Sequence, residues 1–336
     1  MTPSRLFGLA CIAAALWGGP AAAQAPATID LVFFGTGTAL PIFVAKDKGL
    51  FDKRGLNVSL NATPSSEFQM TNLVKHRFQI AQSAIDNFVA YQEGQGSAKL
   101  DRDPDLFVFM GGAQTNNFLI VRPNIGAIAD LKGKTLAVDS LTTGFAFVLR
   151  KMLEKGGGLK ATDSQFRAVG ATPLRFEALG KDESISGTLL ADAFVTRALA
   201  QGLKSLGDAI STFGAYQGSV YGTTRSWAKD HRAEMLNFTR AILAAHDWLF
   251  DPANRAEAAQ ILSKNISGLP LPVAEATLRD LIEGPKPIID RRAAINPAGF
   301  KTVLELRSEY GEPKKVLGAP EKYLDMNYYQ AALATN

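Results

Sequence analysis

Small, hydroxyl-bearing turns stand directly after segments that the sequence predicts to be β-strands. They are Gly35-Thr36-Gly37-Thr38, Ser83-Ala84-Ile85-Asp86, Gln114-Thr115-Asn116 and Ser140-Leu141-Thr142-Thr143-Gly144. In α/β sheets such turns expose polar groups at the carboxyl edge of the strands, where ligands bind. The turn before a long helix, Ser140 to Gly144, also favours a ligand acceptor or an anion. One such turn alone is better explained as a helix cap, but four at one sheet edge are better explained as a binding cleft.

Aromatic residues lie beside these turns in the sequence and could wall a site for a planar ligand. The candidates are Phe34, Phe145 and Tyr216. A single aromatic residue is more often part of a hydrophobic core. They are therefore secondary candidates behind the turns.

The sequence contains no pattern that indicates catalysis or a metal site. No Gly-x-Ser-x-Gly elbow occurs, and His76, His231 and His246 have no histidine partner four residues away. Gly35-Thr36-Gly37 lacks the third glycine of a dinucleotide-binding turn. The single cysteine, Cys11, lies in the predicted leader, so the mature chain should have no thiolate nucleophile. We therefore expect no enzymatic activity, no cofactor and no metal.

The first residues have the features of a secretory signal peptide. One Arg precedes an apolar run from Leu6 to Trp17, and Ala21 and Ala23 supply the small residues that signal peptidase requires. We predict cleavage after Ala23, which makes residues 1–23 the signal peptide and places the mature protein in the periplasm. The apolar run is shorter than the about 20 residues that a membrane-spanning helix needs.

Length and composition predict two α/β lobes. Removal of the first 23 of 336 residues leaves 313, enough for two lobes of ordinary size. Strand-like and helix-like segments alternate, which is typical of mainly parallel sheets covered by helices. No low-complexity linker separates the lobes, so strand-like crossings should join them as a hinge beside a cleft. Lys and Arg number 36 against 32 Asp and Glu without a basic stripe, so nucleic acid is not an expected partner.

The strand predictions follow apolar, β-branched runs bounded by turn residues. They fall at Thr28 to Phe34, Leu56 to Leu60, Phe78 to Ser83, Leu106 to Met110, Phe118 to Val121, Thr135 to Val138, Gln165 to Val169, Ser186 to Leu190 and Tyr216 to Thr224. Helices are predicted between the strands, the first from Pro41 to Arg54. After the last strand, from Arg232 onward, the chain is predicted to be helical.

One long segment resembles a known family. The sequence from Leu40 to Val58, LPIFVAKDKGLFDKRGLNV, is similar to the opening motif of substrate-binding proteins of ABC importers. The similar branch binds aliphatic sulfonates, nitrate, taurine and thiamine-pyrimidine precursors. Further matches are Leu131-Lys132-Gly133-Lys134, Val169-Gly170-Ala171-Thr172, Tyr216-Gln217-Gly218-Ser219-Val220 and Asp251-Pro252-Ala253-Asn254-Arg255-Ala256-Glu257-Ala258. The resemblance covers essentially the whole mature chain and implies the two-lobed periplasmic-binding-protein type II fold, with a hinge and an interlobe cleft.

The resemblance also implies domain bounds and ligand contacts. Lobe 1 would comprise residues 24–115 plus 216–336, and lobe 2 residues 116–215. With the aromatic candidates, the predicted ligand-binding residues are Phe34, Thr36, Gly37, Thr38, Ser83, Ala84, Gln114, Ser140, Thr143, Gly144, Phe145 and Tyr216. Relatives often have Pro-Pro or Asn-Pro where this chain has Ala191-Asp192, so no ligand contact is carried over to these two positions.

The expected function is therefore capture of a small molecule and its delivery to an ABC permease by a monomeric periplasmic protein. A second hypothesis keeps the fold but makes the protein a ligand-sensing subunit that docks on a membrane receptor kinase. A secreted hydrolase is the weakest hypothesis, because no nucleophile and base can be paired. The residues leave the ligand open among sulfonates, nitrate, pyrimidines and aromatic acids.

Overall fold

The computed structural model describes residues 25–160, 162–283 and 287–334. The predicted signal peptide and its cleavage site lie outside these residues. Ten β-strands form two sheets in this part of the chain. The strands are β1 (Ala27–Phe33), β2 (Leu56–Ala62), β3 (Ile80–Ala84), β4 (Leu106–Met110), β5 (Phe118–Val121), β6 (Thr135–Val138), β7 (Gln165–Ala168), β8 (Ile185–Leu190), β9 (Lys204–Asp208) and β10 (Ser219–Thr224).

The two sheets have the same construction. The first sheet has the order β2-β1-β3-β10-β4, and the second has the order β7-β6-β8-β5-β9. In the first sheet β1 pairs in parallel with β2 and β3, whereas β10 is antiparallel to its neighbours β3 and β4. In the second sheet β6 pairs in parallel with β7 and β8, whereas β5 is antiparallel to β8 and β9. The prediction of two mainly parallel α/β sheets is confirmed, with one reversed strand in each.

Helices cover both sheets. They are α1 (Leu40–Asp47), α2 (Ser66–Val74), α3 (Ile85–Gln92), α4 (Gly144–Gly157), α5 (Thr172–Lys181), α6 (Ala193–Ala200), α7 (Ala209–Phe213), α8 (Arg225–Asp230), α9 (Arg232–Leu249), α10 (Arg255–Asn265), α11 (Leu271–Ile282), α12 (Pro297–Tyr310) and α13 (Asn327–Leu333). None of the helices in the described ranges is long and apolar enough to span a membrane.

Three predictions of local structure are wrong. The helix predicted from Pro41 to Arg54 ends at Asp47, because Gly49 takes a left-handed conformation with φ 62° and a separate short turn follows. The strand predicted from Tyr216 begins only at Ser219, since the preceding residues belong to a crossing between the sheets. Strand β9 was not predicted, because its sequence KSLGD has no apolar alternation and lies partly exposed at a sheet edge.

The C-terminal helices pack on the first sheet through an aromatic cluster. Phe238 of α9 stacks on Phe51 at 5.5 Å between ring centroids, and it meets Phe109 and Tyr221 edge-on at 6.3 and 5.8 Å. Aromatic pairs at such distances add to the free energy gained by burial. Residues that follow the second sheet in sequence therefore complete the core of the first.

Two adjacent crossings connect the sheets. Gln114 and Gln217 form an antiparallel bridge, and the Thr115 N–H donates to the Tyr216 carbonyl at 3.2 Å. Close approach of the two segments requires Gly218, because a Cβ there would lie 1.8 Å from Thr115 Oγ1. Two strand-like crossings side by side leave one direction of bending, which is the construction of a hinge.

Candidate functional site

A cleft lies between the two sheets. Both sheets and one of the crossings line it. Eight of the residues that the sequence predicts as ligand-binding line this cleft: Phe34, Thr36, Thr38, Ser83, Ala84, Thr143, Gly144 and Phe145. They stand where strands β1, β3 and β6 end, which is why the turns converge on one place.

Four predicted residues lie behind the lining. Gly37 is buried, and a Cβ on it would lie 3.1 Å from Leu281 and 3.2 Å from Asp192. Gln114 pairs within the crossing. The Ser140 carbonyl accepts a hydrogen bond from Thr143 Oγ1 at 3.1 Å, which fixes the turn before α4. Tyr216 is buried against the ring of Phe145, 5.9 Å between centroids.

An ion pair is buried behind one end of the cleft. Arg307 of α12 donates from Nε and Nη2 to the two oxygens of Asp86, each at 2.7 Å, and their side chains are 0% and 2% exposed. Asp86 Oδ2 also accepts from the Gly144 N–H across the cleft at 2.6 Å. Arg307 Nη2 in turn donates to the Thr142 carbonyl at 2.8 Å. This arrangement joins α3, α12 and the start of α4.

The Gly144 contact corrects one expectation. The turn from Ser140 to Gly144 was expected to offer free N–H groups to a ligand acceptor or anion. In the structure the Gly144 N–H donates to the protein's own carboxylate, Asp86. A carboxylate at a helix N-terminus is stabilised by the helix dipole, and it occupies the place that an anionic ligand would take.

A second carboxylate makes the same kind of contact in the opposite direction. Asp139, which follows β6 in the second sheet, accepts from the Ser66 N–H at the start of α2 at 3.1 and 3.3 Å. Burial raises the pKa of Asp139, and the positive charge of Arg175 and the hydrogen bonds from Ser66 oppose the rise. Two helix N-termini on opposite sides of the cleft thus each receive a carboxylate from the other side.

Arg175 of α5 lines the cleft and is buried. Its Nη1 donates to the Gly170 carbonyl at 2.7 Å. Its Nη2 donates to Thr172 Oγ1 at 3.1 Å and to the Leu189 carbonyl at 3.2 Å. The guanidinium therefore ties α5 to β8 and directs these hydrogen bonds to protein acceptors, and burial lowers its pKa.

A third carboxylate, Asp192, lies at the cleft immediately before α6. Its Oδ2 is 3.2 Å from the position that a Cβ on Gly37 would occupy. Burial raises the pKa of Asp192 to about 6, although the backbone N–H groups of Thr38 and Gly37 lower it. The charge of Asp280 contributes to the rise. Sequence reasoning assigned no role to Asp192; its place at a helix start directly after a buried strand was the available signal.

The polar side chains of the first sheet form a connected group in the cleft wall. Asn87 donates to Ser83 Oγ at 2.9 Å, and Gln82 Nε2 donates to Ser219 Oγ. Gln82 is 1% exposed and its Oε1 has no hydrogen-bond donor. Buried acceptors without a donor are uncommon in proteins, so this oxygen adds to the acceptors of the cleft.

The chemical groups of the cleft lining follow from its residues. The hydroxyl of Ser83 has the amide of Asn87 as its partner, not a base, and the cleft lining within the described ranges contains no histidine, lysine or cysteine. Among those residues no group of three or more His, Cys, Asp and Glu side chains could hold a metal ion. What the arrangement supplies is hydroxyl, amide and carboxylate groups and the guanidinium of Arg175 beside aromatic rings.

Comparison with known proteins gives one family match. A model of the NMT1-like family matches residues 22–263. The YtlA protein of Bacillus subtilis (strain 168), named as a candidate binding protein, is 26% identical over 233 residues. That match spans 62% of this chain and 62% of YtlA.

Solved structures resemble the chain over nearly its whole length. The periplasmic nitrate-binding protein NrtA from Synechocystis PCC 6803 has a TM-score of 0.78 and 16% identity over 92% of this chain and 88% of NrtA. A ligand-binding component of an ABC-type import system from Staphylococcus aureus has a TM-score of 0.72 and 12% identity, covering 91% and 99%. A cysteine-to-serine mutant of DSZB in complex with biphenyl-2-sulfinic acid has a TM-score of 0.61 and 13% identity, covering 93% and 100%. These likenesses show the periplasmic-binding-protein fold.

Proposed function

The chain belongs to the NMT1-like family, and from that membership we propose that it is a substrate-binding protein that captures a small ligand and delivers it to the membrane subunits of an ABC importer. The ligand would bind in the cleft between the first and second sheets. The observation that carries the proposal is a cleft lined from both sheets beside two adjacent crossings. Bending at the crossings would bury the ligand and present both lobes to the permease.

We place the protein in the periplasm as a monomer, after cleavage behind Ala23. Its lobes would be residues 24–115 plus 216–336 and residues 116–215. The ligand-binding residues would be those predicted residues that line the cleft, with Phe34 and Phe145 as aromatic walls. The names of NrtA, a periplasmic nitrate-binding protein, and of the Staphylococcus aureus protein, a ligand-binding component of an ABC-type import system, support a transport role.

Thermal unfolding against a ligand panel tests this proposal. The panel comprises nitrate, sulfonates, pyrimidines, aromatic carboxylates and organic amines, added to protein that has been unfolded and refolded to remove a co-purified ligand. A ligand at 100 times its dissociation constant stabilises the native state by about 2.7 kcal/mol. We expect one chemical class to raise the midpoint by several degrees. Stabilisation by none of the classes would contradict the proposal, and turnover of a panel compound would favour an enzyme.

A substitution inside the cleft provides the site-specific arm of the test. Thr143→Trp fills the cleft at the start of α4, where Thr143 is buried and lines the cavity. We expect it to abolish the ligand-dependent shift. Val316→Trp is the matched control, because Val316 is 97% exposed and lies away from the cleft. A shift that survives in Thr143→Trp would remove this turn from the site.

A further inference from the structure

The charges that line the cleft do not balance. Three carboxylates line it, those of Asp86, Asp139 and Asp192. Asp86 is neutralised by Arg307 in the buried ion pair, and Asp139 experiences the positive charge of Arg175. In the part of the chain that the structure describes, Asp192 forms no salt bridge.

Among the described residues, the charge that acts on Asp192 is that of another acid. The charged group that acts on it is Asp280, an exposed residue of α11. The backbone N–H groups of Thr38 and Gly37 face it from the first sheet and offset its charge only in part. Asp192 is half-buried, and a charge that is partly removed from water without a counter-ion is costly, so this end of the cleft favours an added positive charge.

The backbone at Asp192 is strained. Its φ of 51° and ψ of −138° lie in a region that residues other than glycine rarely adopt. An Asp at a helix start normally accepts from its own helix, but Asp192 makes no such hydrogen bond to α6. The strained backbone instead accompanies a carboxylate that faces Gly37 and the cleft. Strain of this kind persists where the surrounding structure fixes a functional geometry.

Part of the hydrogen-bonding capacity at the cleft is unused. Gln82 Oε1 is buried without a donor, and the buried hydroxyl of Tyr216 has no partner among the described residues. Two of the donors that an oxyanion could use are directed to the protein, because Gly144 N–H donates to Asp86 and Arg175 donates to protein oxygens. A ligand that brings N–H donors can therefore bond to Gln82 Oε1 as well as to the carboxylate of Asp192.

We propose that the cleft selects organic cations that carry N–H donors, such as a protonated amine or an amidinium, and that the carboxylate of Asp192 contacts the cationic nitrogen. This inference rests on the proposed function and names its ligand class. The cation supplies the missing counter-charge beside a half-buried carboxylate, where attraction between charges is stronger than in bulk water. Phe34 and Phe145 line the same cleft and provide aromatic surfaces that attract organic cations.

Matched pairs of probes with one skeleton and opposite charge test the proposal. Binding of benzamidinium and benzoate, and of benzylammonium and benzenesulfonate, is measured by isothermal titration calorimetry together with binding of nitrate. We expect a cation to bind and its anionic partner not to bind. Asp192→Asn should weaken binding of the cation at least tenfold. Asn keeps the size of Asp and one of its side-chain oxygens, and a single cooperative unfolding transition of the free variant shows that it folds.

Asp280→Asn is the matched control. It removes a nearby negative charge from an exposed residue that does not line the cleft, so it should change the affinity for the cation less than about threefold. An equal loss of affinity in both variants would mean that the cation responds only to the overall negative charge of this region. That result would overturn the proposed contact with Asp192.

The remaining outcomes separate this inference from the proposed function. Binding of benzoate, benzenesulfonate or nitrate at least as tight as that of the cations would overturn the cation proposal and leave the substrate-binding function intact. Failure of every cation probe, with stabilisation by a neutral or anionic compound of the wider panel, would have the same meaning. Failure of every compound in both experiments would contradict the proposed function itself and the cation proposal with it.

Discussion

Two carboxylates, those of Asp86 and Asp192, each contact the opposite side of the cleft. The charges around them differ. Asp86 accepts from Gly144 across the cleft and is paired with Arg307. Asp192 lies against Gly37 across the cleft and forms no salt bridge with any of the described residues. Both place negative charge at the start of a helical turn. Only the first has its charge neutralised within the protein.

The presence or absence of a neutralising partner distinguishes a structural ion pair at Asp86 from a recognition site at Asp192. At Asp86 the acceptors and donors satisfy one another, so the contact stabilises the fold without help from a ligand. At Asp192 a strained backbone holds a charge that the protein leaves unneutralised. Natural proteins keep such locally unfavourable arrangements mainly at functional sites. The two positions should therefore respond to substitution in opposite directions.

Substitution of Arg307, the partner of Asp86, should have the largest effect on the free energy of unfolding. Arg307→Met leaves Asp86 as a buried carboxylate without its counter-ion, so the free energy of unfolding should fall by about 3–5 kcal/mol. Urea denaturation followed by circular dichroism measures the change. The double variant Arg307→Met/Asp86→Leu should recover part of the loss, because it removes both charges. A loss below about 1 kcal/mol in the single variant would contradict the assignment of this pair as a structural ion pair.

Removal of the negative charge of Asp192 should stabilise the unliganded protein at neutral pH. The pKa of Asp192 is raised from its ordinary value near 3.8 to about 6, so the folded state holds this proton more tightly than the unfolded chain. That stabilisation is complete below pH about 3.8 and is lost as the pH rises through 6. At pH 7.5 Asp192→Asn should therefore raise the free energy of unfolding by about 1–3 kcal/mol.

Urea titrations of both proteins at pH 7.5 and pH 4.5 measure this effect. The difference between Asp192→Asn and the wild type should shrink at the lower pH, where Asp192 is mostly protonated in the folded state. Destabilisation by Asp192→Asn at pH 7.5 would mean that the contact with Gly37 outweighs the cost of the buried charge. The two carboxylates would then be equivalent.

The affinity for a cation should follow ionisation of Asp192. A cation prefers the carboxylate form, so its affinity should be about tenfold lower at pH 5 than at pH 7 for a group with a pKa near 6. Thr38, Gly37 and Asp280 act on the same carboxyl group. Calorimetric titration at both pH values measures the change. A pH-independent affinity in the wild type, or the same dependence in Asp192→Asn, would argue against the contact.

Loss of an exposed ion pair should hardly change the free energy of unfolding. It provides the reference value for the effect of Arg307→Met. Lys181 and Glu177 form an i, i+4 pair on α5 at 3.4 Å with side chains 77% and 61% exposed. Lys181→Gln should change the free energy of unfolding by less than about 0.5 kcal/mol. Urea denaturation under the conditions used for Arg307→Met measures it. A change of 1 kcal/mol or more would show that exposure is a poor guide to the contribution of ion pairs in this protein.

Local patterns predicted the sheets and the turns at the cleft well. The bounds of β4, β5 and β6 agree with prediction, because short apolar runs between turn residues define buried strands. The hydroxyl-rich turns reach the cleft because the carboxyl ends of parallel strands share one edge of a sheet. Edge strand β9 escaped prediction because a partly exposed strand needs no apolar pattern.

The charge pattern of the cleft could not be predicted, because it depends on contacts between distant residues. Arg307 and Asp86 are 221 positions apart in the sequence. Arg175 is buried through carbonyl partners that carry no sequence signature. The role of Asp192 depends on its distance from Gly37 and on the absence of a nearby base, and neither property is visible in a local window of residues.

The most direct test of the account measures the distance between the two lobes as ligand binds. The single cysteine of the sequence, Cys11, lies in the predicted leader, so spin labels can be attached at Lys53→Cys and Lys132→Cys. These exposed residues precede β2 of the first sheet and β6 of the second. Double electron–electron resonance is recorded without ligand and with the cation that binds most tightly. We expect a broad distance distribution without ligand that narrows to a single, shorter distance when the cation binds. In Asp192→Asn we expect no such change at the same ligand concentration. A distribution that stays unchanged in the wild type at saturating ligand would contradict it.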